Sequence, residues 1–305
     1  MRWRPAGDLS IPFCANGRKI RTTLFLVIPP APGGRVRPTC CSECPVWTGI
    51  IPAKISLRTL CSVNCNPAPK IQVFPSPQEL AQAVATDWIQ SARQAEQAQR
   101  QFSVALAGGS TPRLLYQLLA RPKNSRQIPW SWVHLFWGDE RCVPPDHAAS
   151  NYRMTWEAML KFTPLPQKNI HRIEGEIDPP QASQAYAQEI QKVLGEDRPS
   201  FDWVLLGMGT DGHTASLFPG QTLLPEPLGI CAVAERPDQK RITLTLDTIN
   251  RAKRISFLVT GAAKADRVHD ILEKTGASKK LPAAEVCGAN VEWLLDREAA
   301  ARLRQ

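Results

Sequence analysis

Phe102-Ser103-Val104-Ala105-Leu106-Ala107 runs directly into Gly108-Gly109-Ser110-Thr111-Pro112, and the reading of that junction decides the fold. The first six residues are apolar almost throughout, as a strand buried on both faces must be. Two glycines then let the backbone approach a ligand closely, Ser110 and Thr111 add hydroxyl donors, and Pro112 is suited to open a helix running to about Ala120. A strand that passes through a short glycine turn into a helix is the start of a β-α-β unit, the repeating piece of a parallel sheet.

The same alternation continues on both sides. Upstream, Ile71-Gln72-Val73-Phe74 is expected as a strand stopped by Pro75. Ser76, Pro77 and Glu79 then supply the cap, first position and third position of a helix start. Leu80, Val84, Trp88 and Ile89 give that helix an apolar stripe. Downstream, strands are expected over Val133–Trp137, Trp203–Leu206, Ile242–Leu246 and Ile255–Val259. Helices are expected over residues 181–194 and from about Ala262 to Glu273. Strands alternating with helices imply an α/β fold with a largely parallel sheet covered on both faces. No internal repeat is present, so residues 70–305 form one α/β domain on this reading.

Residues 1–69 differ in texture. Of 305 residues, 37 are basic and 28 acidic, a balance of +9. Nine of the basic residues but only two acids (Asp8, Glu43) precede residue 70, leaving 28 against 26 in the remainder. The basicity therefore belongs to the head, and the body offers no charge-based reason to expect nucleic acid or a membrane surface as partner. The head also holds ten prolines and six of the nine cysteines. It has no sustained pattern that would bury enough apolar surface to order it, so a disordered extension, or translated sequence upstream of a natural start, is expected. An organellar transit peptide is the lesser alternative, because prolines, tryptophans and cysteines suit it badly. Cys41-x2-Cys44 and Cys61-x3-Cys65 loosely follow the paired cysteines of a zinc site, with one residue too many in the second pair. Single cysteines scattered through the body suit a reducing compartment, with the cytoplasm as the default location. No stretch of 18 apolar residues exists to span a membrane.

Three segments that follow strands carry chemistry, at the place where open α/β sheets bind ligands. Gly108-Gly109-Ser110-Thr111-Pro112 leads into a helix whose free N–H groups and positive dipole end favour an anion. It lacks the lysine of a nucleotide P-loop and the spacing of a dinucleotide site, so a monophosphate fits better. In Gly138-Asp139-Glu140-Arg141-Cys142-Val143-Pro144, the two acids can accept hydroxyls or orient other side chains. Arg141 can bind phosphate or pair with one of those acids. Asn151, further on, adds a polar contact or caps the next helix. In Gly207-Met208-Gly209-Thr210-Asp211-Gly212-His213, three glycines force an unusual path with Asp211 and His213 at its tip. His213 is the natural general base for activating water, and Asp211 either orients it or binds substrate hydroxyls. His134, His147, His171 and His269 lack such a setting, and no metal-ligand spacing occurs in the body.

Taken in order, these segments resemble the 6-phosphogluconolactonases, relatives of the glucosamine-6-phosphate deaminases. The resemblance covers nearly all of residues 70–305. It rests on Ala107–Pro112, Asp139-Glu140-Arg141 with Asp146 and Ser150-Asn151, and Asp211–Pro219. Arg241–Thr245, Gly261-Ala262-Ala263-Lys264-Ala265 and Trp293–Asp296 complete it. It implies a three-layer α/β/α, modified Rossmann-like fold, hydrolysis of 6-phosphogluconolactone, and neither metal nor organic cofactor. Carried over by position, Gly108, Gly109, Ser110, Thr111, Asp139, Arg141 and Lys264 would hold substrate and its phosphate, with His213 and Asp211 as the catalytic pair. The partner implied is a small sugar phosphate, and the assembly a monomer or small homo-oligomer. Thr210 and Cys287 stand where the family commonly has proline. An amino-sugar-phosphate deaminase or isomerase is the nearest rival. Arg141-Cys142-Val143-Pro144 and Thr214-Ala215-Ser216-Leu217 favour the lactonase over it. A sugar-phosphate-sensing regulator, with the head as a zinc module, is the rival of another class.

Overall fold

The computed structural model describes residues 69–221, 223–224 and 229–304, together with the backbone of residues 10–15 and 18–23. The chain divides into two compact units, Met1–Asn64 and Cys65–Gln305. In the first, β1 (Ser10–Ala15) pairs antiparallel with β2 (Arg18–Thr23), with Ala15 opposite Arg18. The disorder expected for the rest of residues 1–69, and the zinc pattern of Cys41, Cys44, Cys61 and Cys65, lie outside the described residues.

The second unit opens with β3 (Lys70–Phe74), α1 (Pro77–Gln97), β4 (Phe102–Leu106), α2 (Ser110–Ala120) and α3 (Pro122–Ser125). It continues with β5 (Val133–Trp137), β6 (Asp139–Arg141), α4 (Asn151–Ala158), α5 (Pro179–Leu194) and β7 (Trp203–Leu206). Then come β8 (Leu223–Leu224), β9 (Cys231–Ala234), β10 (Arg241–Leu244) and α6 (Leu246–Asn250). The last elements are β11 (Ile255–Val259), α7 (Ala265–Leu272), α8 (Pro282–Glu285) and β12 (Val291–Asp296).

Six strands form a parallel sheet in the order β3-β12-β11-β7-β4-β5. Helices flank it in an α/β/α arrangement. The inner strands β4, β7 and β11 are buried along their whole length, which is why they lack an apolar–polar alternation. Trp88 of α1 meets Phe102 edge-on at 5.8 Å between ring centroids and tilts against Trp203 at 6.1 Å, pinning the helix to the sheet. At the start of α1, Ser76 Oγ accepts from the Glu79 N–H at 3.3 Å, the cap expected from the sequence, and donates to Glu79 Oε2 at 3.0 Å, so that Glu79 engages the cap hydroxyl rather than its backbone N–H.

Four strands form a second, antiparallel sheet in the order β6-β10-β9-β8. Two expectations change here. Asp139-Glu140-Arg141, for which the sequence gives no strand expectation, is a strand. The strand expected over Ile242–Leu246 ends at Leu244, belongs to this smaller sheet, and is followed by α6. Three consecutive charged residues carry no strand signal of their own, so pairing with β10 imposes the extended conformation. Three helix starts also move, α5 beginning at Pro179 rather than at residue 181. α2 begins at Ser110 rather than Pro112, and Ala262–Lys264 is a short 3-10 turn ahead of α7.

Along the chain the parallel sheet grows from β4 to β5 on one side, then from β7 through β11 to β12 on the other. The order reverses between β4 and β7. In open α/β sheets, the crevice beyond the C-terminal strand ends at such a reversal is where ligands bind. Among the described residues no helix is long and apolar enough to cross a membrane.

Candidate active site

A cavity of about 230 Å³ lies at that reversal. The loops that follow β4 and β7 contribute Gly108, Gly109, Gly207, Met208, Gly209 and His213, and other elements contribute Asp139, Arg141, Asn151, Arg241 and Lys264. Two of the three segments singled out in the sequence thus meet across the switch point, and β6 delivers the third.

His213 Nδ1 lies 2.5 Å from Asp211 Oδ1, and the same oxygen accepts the His213 backbone N–H at 3.1 Å. Burial alone would raise the Asp211 pKa, but these two His213 donors outweigh it and hold the carboxyl below its ordinary value. A carboxylate on Nδ1 leaves Nε2 as the ring nitrogen free to take up a proton. Asp211 is not among the cavity-lining residues, and its carboxylate is engaged by the imidazole. The ring packs against Phe218 at 4.4 Å between centroids. Gly209 makes this placement possible, because a Cβ there would collide with the His213 ring and with Asp211 Oδ1. Gly209 N–H also donates to the His213 carbonyl at 2.8 Å, closing the loop on itself.

The other wall is cationic. Arg141 and Arg241 are opposite one another in the antiparallel register of β6 and β10. Like charges in that position repel. Arg141 Nη1 donates to the Ala149 carbonyl at 2.6 Å and to Asn151 Oδ1 at 2.9 Å. Arg241 Nη2 reaches Asp238 at 3.2 Å. The Nε atoms of both arginines are buried and make no hydrogen bond within the protein. Lys264, beside them, has its pKa lowered by burial, with the Asp211 charge opposing that shift. Gly109 sits at φ +106°, a conformation open chiefly to glycine, and precedes α2, whose first turn receives no side-chain cap.

Not every residue expected to hold substrate lines the cavity. Ser110 is exposed in the first turn of α2 and lies outside the lining. Thr111 is buried, with its hydroxyl 2.7 Å from that of Thr260. Asp139 lines the cavity but is 7% exposed, and its Oδ2 accepts from Ser216 Oγ at 2.7 Å. Glu140 does not line the cavity. Its carboxylate accepts the backbone N–H groups of Arg141, Asn151 and Tyr152 at 2.7–2.8 Å and the Ser150 hydroxyl at 3.0 Å. It thereby anchors the N-terminus of α4, while Ser150 provides the side-chain cap and Asn151 is left to serve the cavity. Asn151 lies so close to Gly108 that a Cβ at that glycine would overlap its amide.

Sequence reasoning did not single out Arg241 as a site residue. It opens a legible strand, and only the antiparallel pairing with β6 brings it beside Arg141. Among the described residues, no cluster of three or more His, Cys, Asp or Glu side chains is disposed to hold a metal ion. Away from the cavity, His134 Nδ1 lies 3.0 Å from His171 Nε2, and His171 Nδ1 lies 2.8 Å from Glu189.

A model of the family described as glucosamine-6-phosphate isomerases/6-phosphogluconolactonase matches residues 75–294. The 6-phosphogluconolactonase of Haemophilus influenzae is 38% identical over 230 residues, spanning 74% of this chain and 96% of that protein. The solved structure of 6-phosphogluconolactonase from Trypanosoma brucei superimposes with a TM-score of 0.67 at 33% identity, over 77% of this chain and 99% of that one. A monomeric glucosamine-6-phosphate deaminase shares the fold at a TM-score of 0.65 and 22% identity, over 77% of this chain and 100% of that one.

Proposed function

The chain belongs to the family of glucosamine-6-phosphate isomerases and 6-phosphogluconolactonases, and from that premise we propose that it hydrolyses 6-phosphoglucono-1,5-lactone to 6-phosphogluconate, a step of the oxidative pentose phosphate pathway. The observation that carries the reading is the pairing of Arg141 with Arg241. Two mutually repelling guanidiniums, each with a buried, unpartnered Nε, share a cavity with an imidazole whose Nδ1 is already occupied. Buried donors without acceptors are costly, and a bound dianion would satisfy them and relieve the repulsion.

With the phosphate held by Arg141, Arg241, Lys264 and the open first turn of α2, the lactone ring extends toward His213. Nε2 of His213 removes a proton from water as the water oxygen attacks C1. The carbonyl electrons move onto oxygen, where a loop N–H can stabilise the charge. Collapse of that intermediate breaks the C1–O5 bond, and O5 recovers the proton from the imidazolium. Asp211 keeps the ring oriented and supports its positive charge while the proton resides there. The singly scattered cysteines of the body suit a reducing cytoplasm as the site of the reaction.

The test is hydrolysis of freshly prepared lactone at controlled pH, with spontaneous opening subtracted. Wild type and a chain starting at Lys70 should both be active, while His213→Ala should lose on the order of 10²- to 10⁴-fold in kcat. Absence of hydrolysis above background in the wild type would refute the assignment. Retained activity in His213→Ala would refute the base.

A further inference from the structure

We propose that Asp139 and Ser216 are positioning residues that lock the His213 loop to the cationic wall. The proposal rests on the lactonase reading of the same site and assigns Asp139 a partner inside the protein rather than on the substrate.

Ser216, three residues after His213, is fully buried, and its hydroxyl donates to Asp139 Oδ2 at 2.7 Å. Its backbone N–H donates to Thr243 Oγ1 at 3.2 Å. Thr243 is itself fully buried and is the register partner of Asp139 in the antiparallel sheet. One serine thus ties the loop to both strands that carry the arginines, Arg141 on β6 and Arg241 on β10. The loop between His213 and Ser216 has little freedom to absorb slack. Thr214 Oγ1 donates to the Gly207 carbonyl at 2.9 Å, and Thr214 and Leu217 exchange backbone bonds at 3.3 and 2.9 Å. Ala215 is held at φ +47°, a conformation a non-glycine residue keeps only where its surroundings impose it. The Asp139 backbone carbonyl accepts from Asn151 Nδ2 at 2.9 Å, and Asn151 Oδ1 accepts from Arg141. A single residue therefore links, through its side chain, the segment holding the base and, through its backbone, the amide that holds an anion-binding arginine.

Because a buried carboxylate–hydroxyl bond is strong and short, it sets the span between the imidazole and the phosphate wall. Proton abstraction depends on that span far more steeply than ground-state binding does. The expected signature is a loss in kcat with little change in KM.

The experiment uses the full chain with Ser216→Ala, Asp139→Asn and the double variant, assayed on the lactone alongside an NMR titration of the His213 ring. Ser216→Ala should lower kcat on the order of tenfold to a hundredfold, with KM within about twofold of wild type. Asp139→Asn should behave alike, and the double variant should be no worse than the worse single one, as for two halves of one interaction. The His213 titration midpoint should move in Ser216→Ala, although the hydrogen bonds of Ser216 go to Asp139 and Thr243 rather than to the ring. An Asp139→Asn variant with raised KM and intact kcat would overturn the proposal in favour of direct substrate contact, as would losses that multiply in the double variant. If Asp139→Asn does not fold, Ser216→Ala alone decides. If wild type shows no lactone hydrolysis, the functional reading fails, and the NMR midpoints still decide whether the lock governs His213.

Discussion

An alanine at Gly209 would carry its methyl carbon into the His213 ring and to within 2.5 Å of Asp211 Oδ1. Ordinary contact begins at 3.4 Å, so Asp211 must retreat by at least 0.9 Å and the ring, which is nearer still, by more. Either response displaces the dyad whose 2.5 Å hydrogen bond orients Nδ1. Gly209 is not among the left-handed glycines, so the backbone admits alanine and the loss falls on the dyad rather than on the fold. A displacement of about 1 Å at a reacting group costs on the order of a hundredfold in rate, and Gly209→Ala is expected to lower kcat by that factor. KM should move little, because the proposed phosphate-binding residues lie elsewhere in the cavity. The assay is initial-rate hydrolysis at fixed pH, paired with thermal denaturation to show that the midpoint is nearly unchanged. A variant with kcat within about threefold of wild type would refute the argument that the Asp211–His213 geometry limits the reaction.

Other consequences can be measured independently. Burial lowers the Lys264 pKa, so its ammonium is lost on the alkaline side before that of an exposed lysine. Binding of 6-phosphogluconate, followed by calorimetry from about pH 7 to about pH 10, should weaken with rising pH, and Lys264→Arg should flatten that fall. Burial, with repulsion from His171 and Lys168, pushes the His134 pKa from 6.5 down to about 4. The unfolded chain therefore binds a proton between those values that the native state refuses, and stability should drop as pH falls through this window. His134→Gln should make the acid limb of a thermal-denaturation series shallower. Glu140→Ala removes the acceptor of three backbone N–H groups and one hydroxyl at the start of α4. It should cost about 2–4 kcal/mol in denaturant titration.

The parallel sheet was legible because its inner strands are short apolar runs ending in glycine, and burial on two faces requires that composition. The loops carrying Gly108, Gly109, Asp211 and His213 stood out for the same reason, since each follows a strand of that kind. The antiparallel sheet was less legible. Asp139-Glu140-Arg141 has no strand character until Arg241–Thr243 lies beside it, and no local pattern encodes a partner about 100 positions away. For that reason Arg241 reads as part of a motif but not as a site residue. The start of α2 was misplaced by two residues because Pro112 suits a first helical position but is equally accommodated at the third, where no intrahelical N–H is needed.

The reversal between β4 and β7 also has a consequence for how the protein is made. Val104 and Ala105 of β4 pair with Trp203 and Val204 of β7, a contact across 99 positions of chain. During synthesis β4 can dock on β5 early, but its other edge stays open until β7 has emerged, leaving an apolar strand edge exposed to neighbouring chains. The crevice that holds the chemistry is the same seam, so recovery of activity on refolding should trail recovery of helix content. A phosphorylated ligand that grips both sides should slow the seam's opening. The ligand site is then also the place where a half-made chain is most vulnerable.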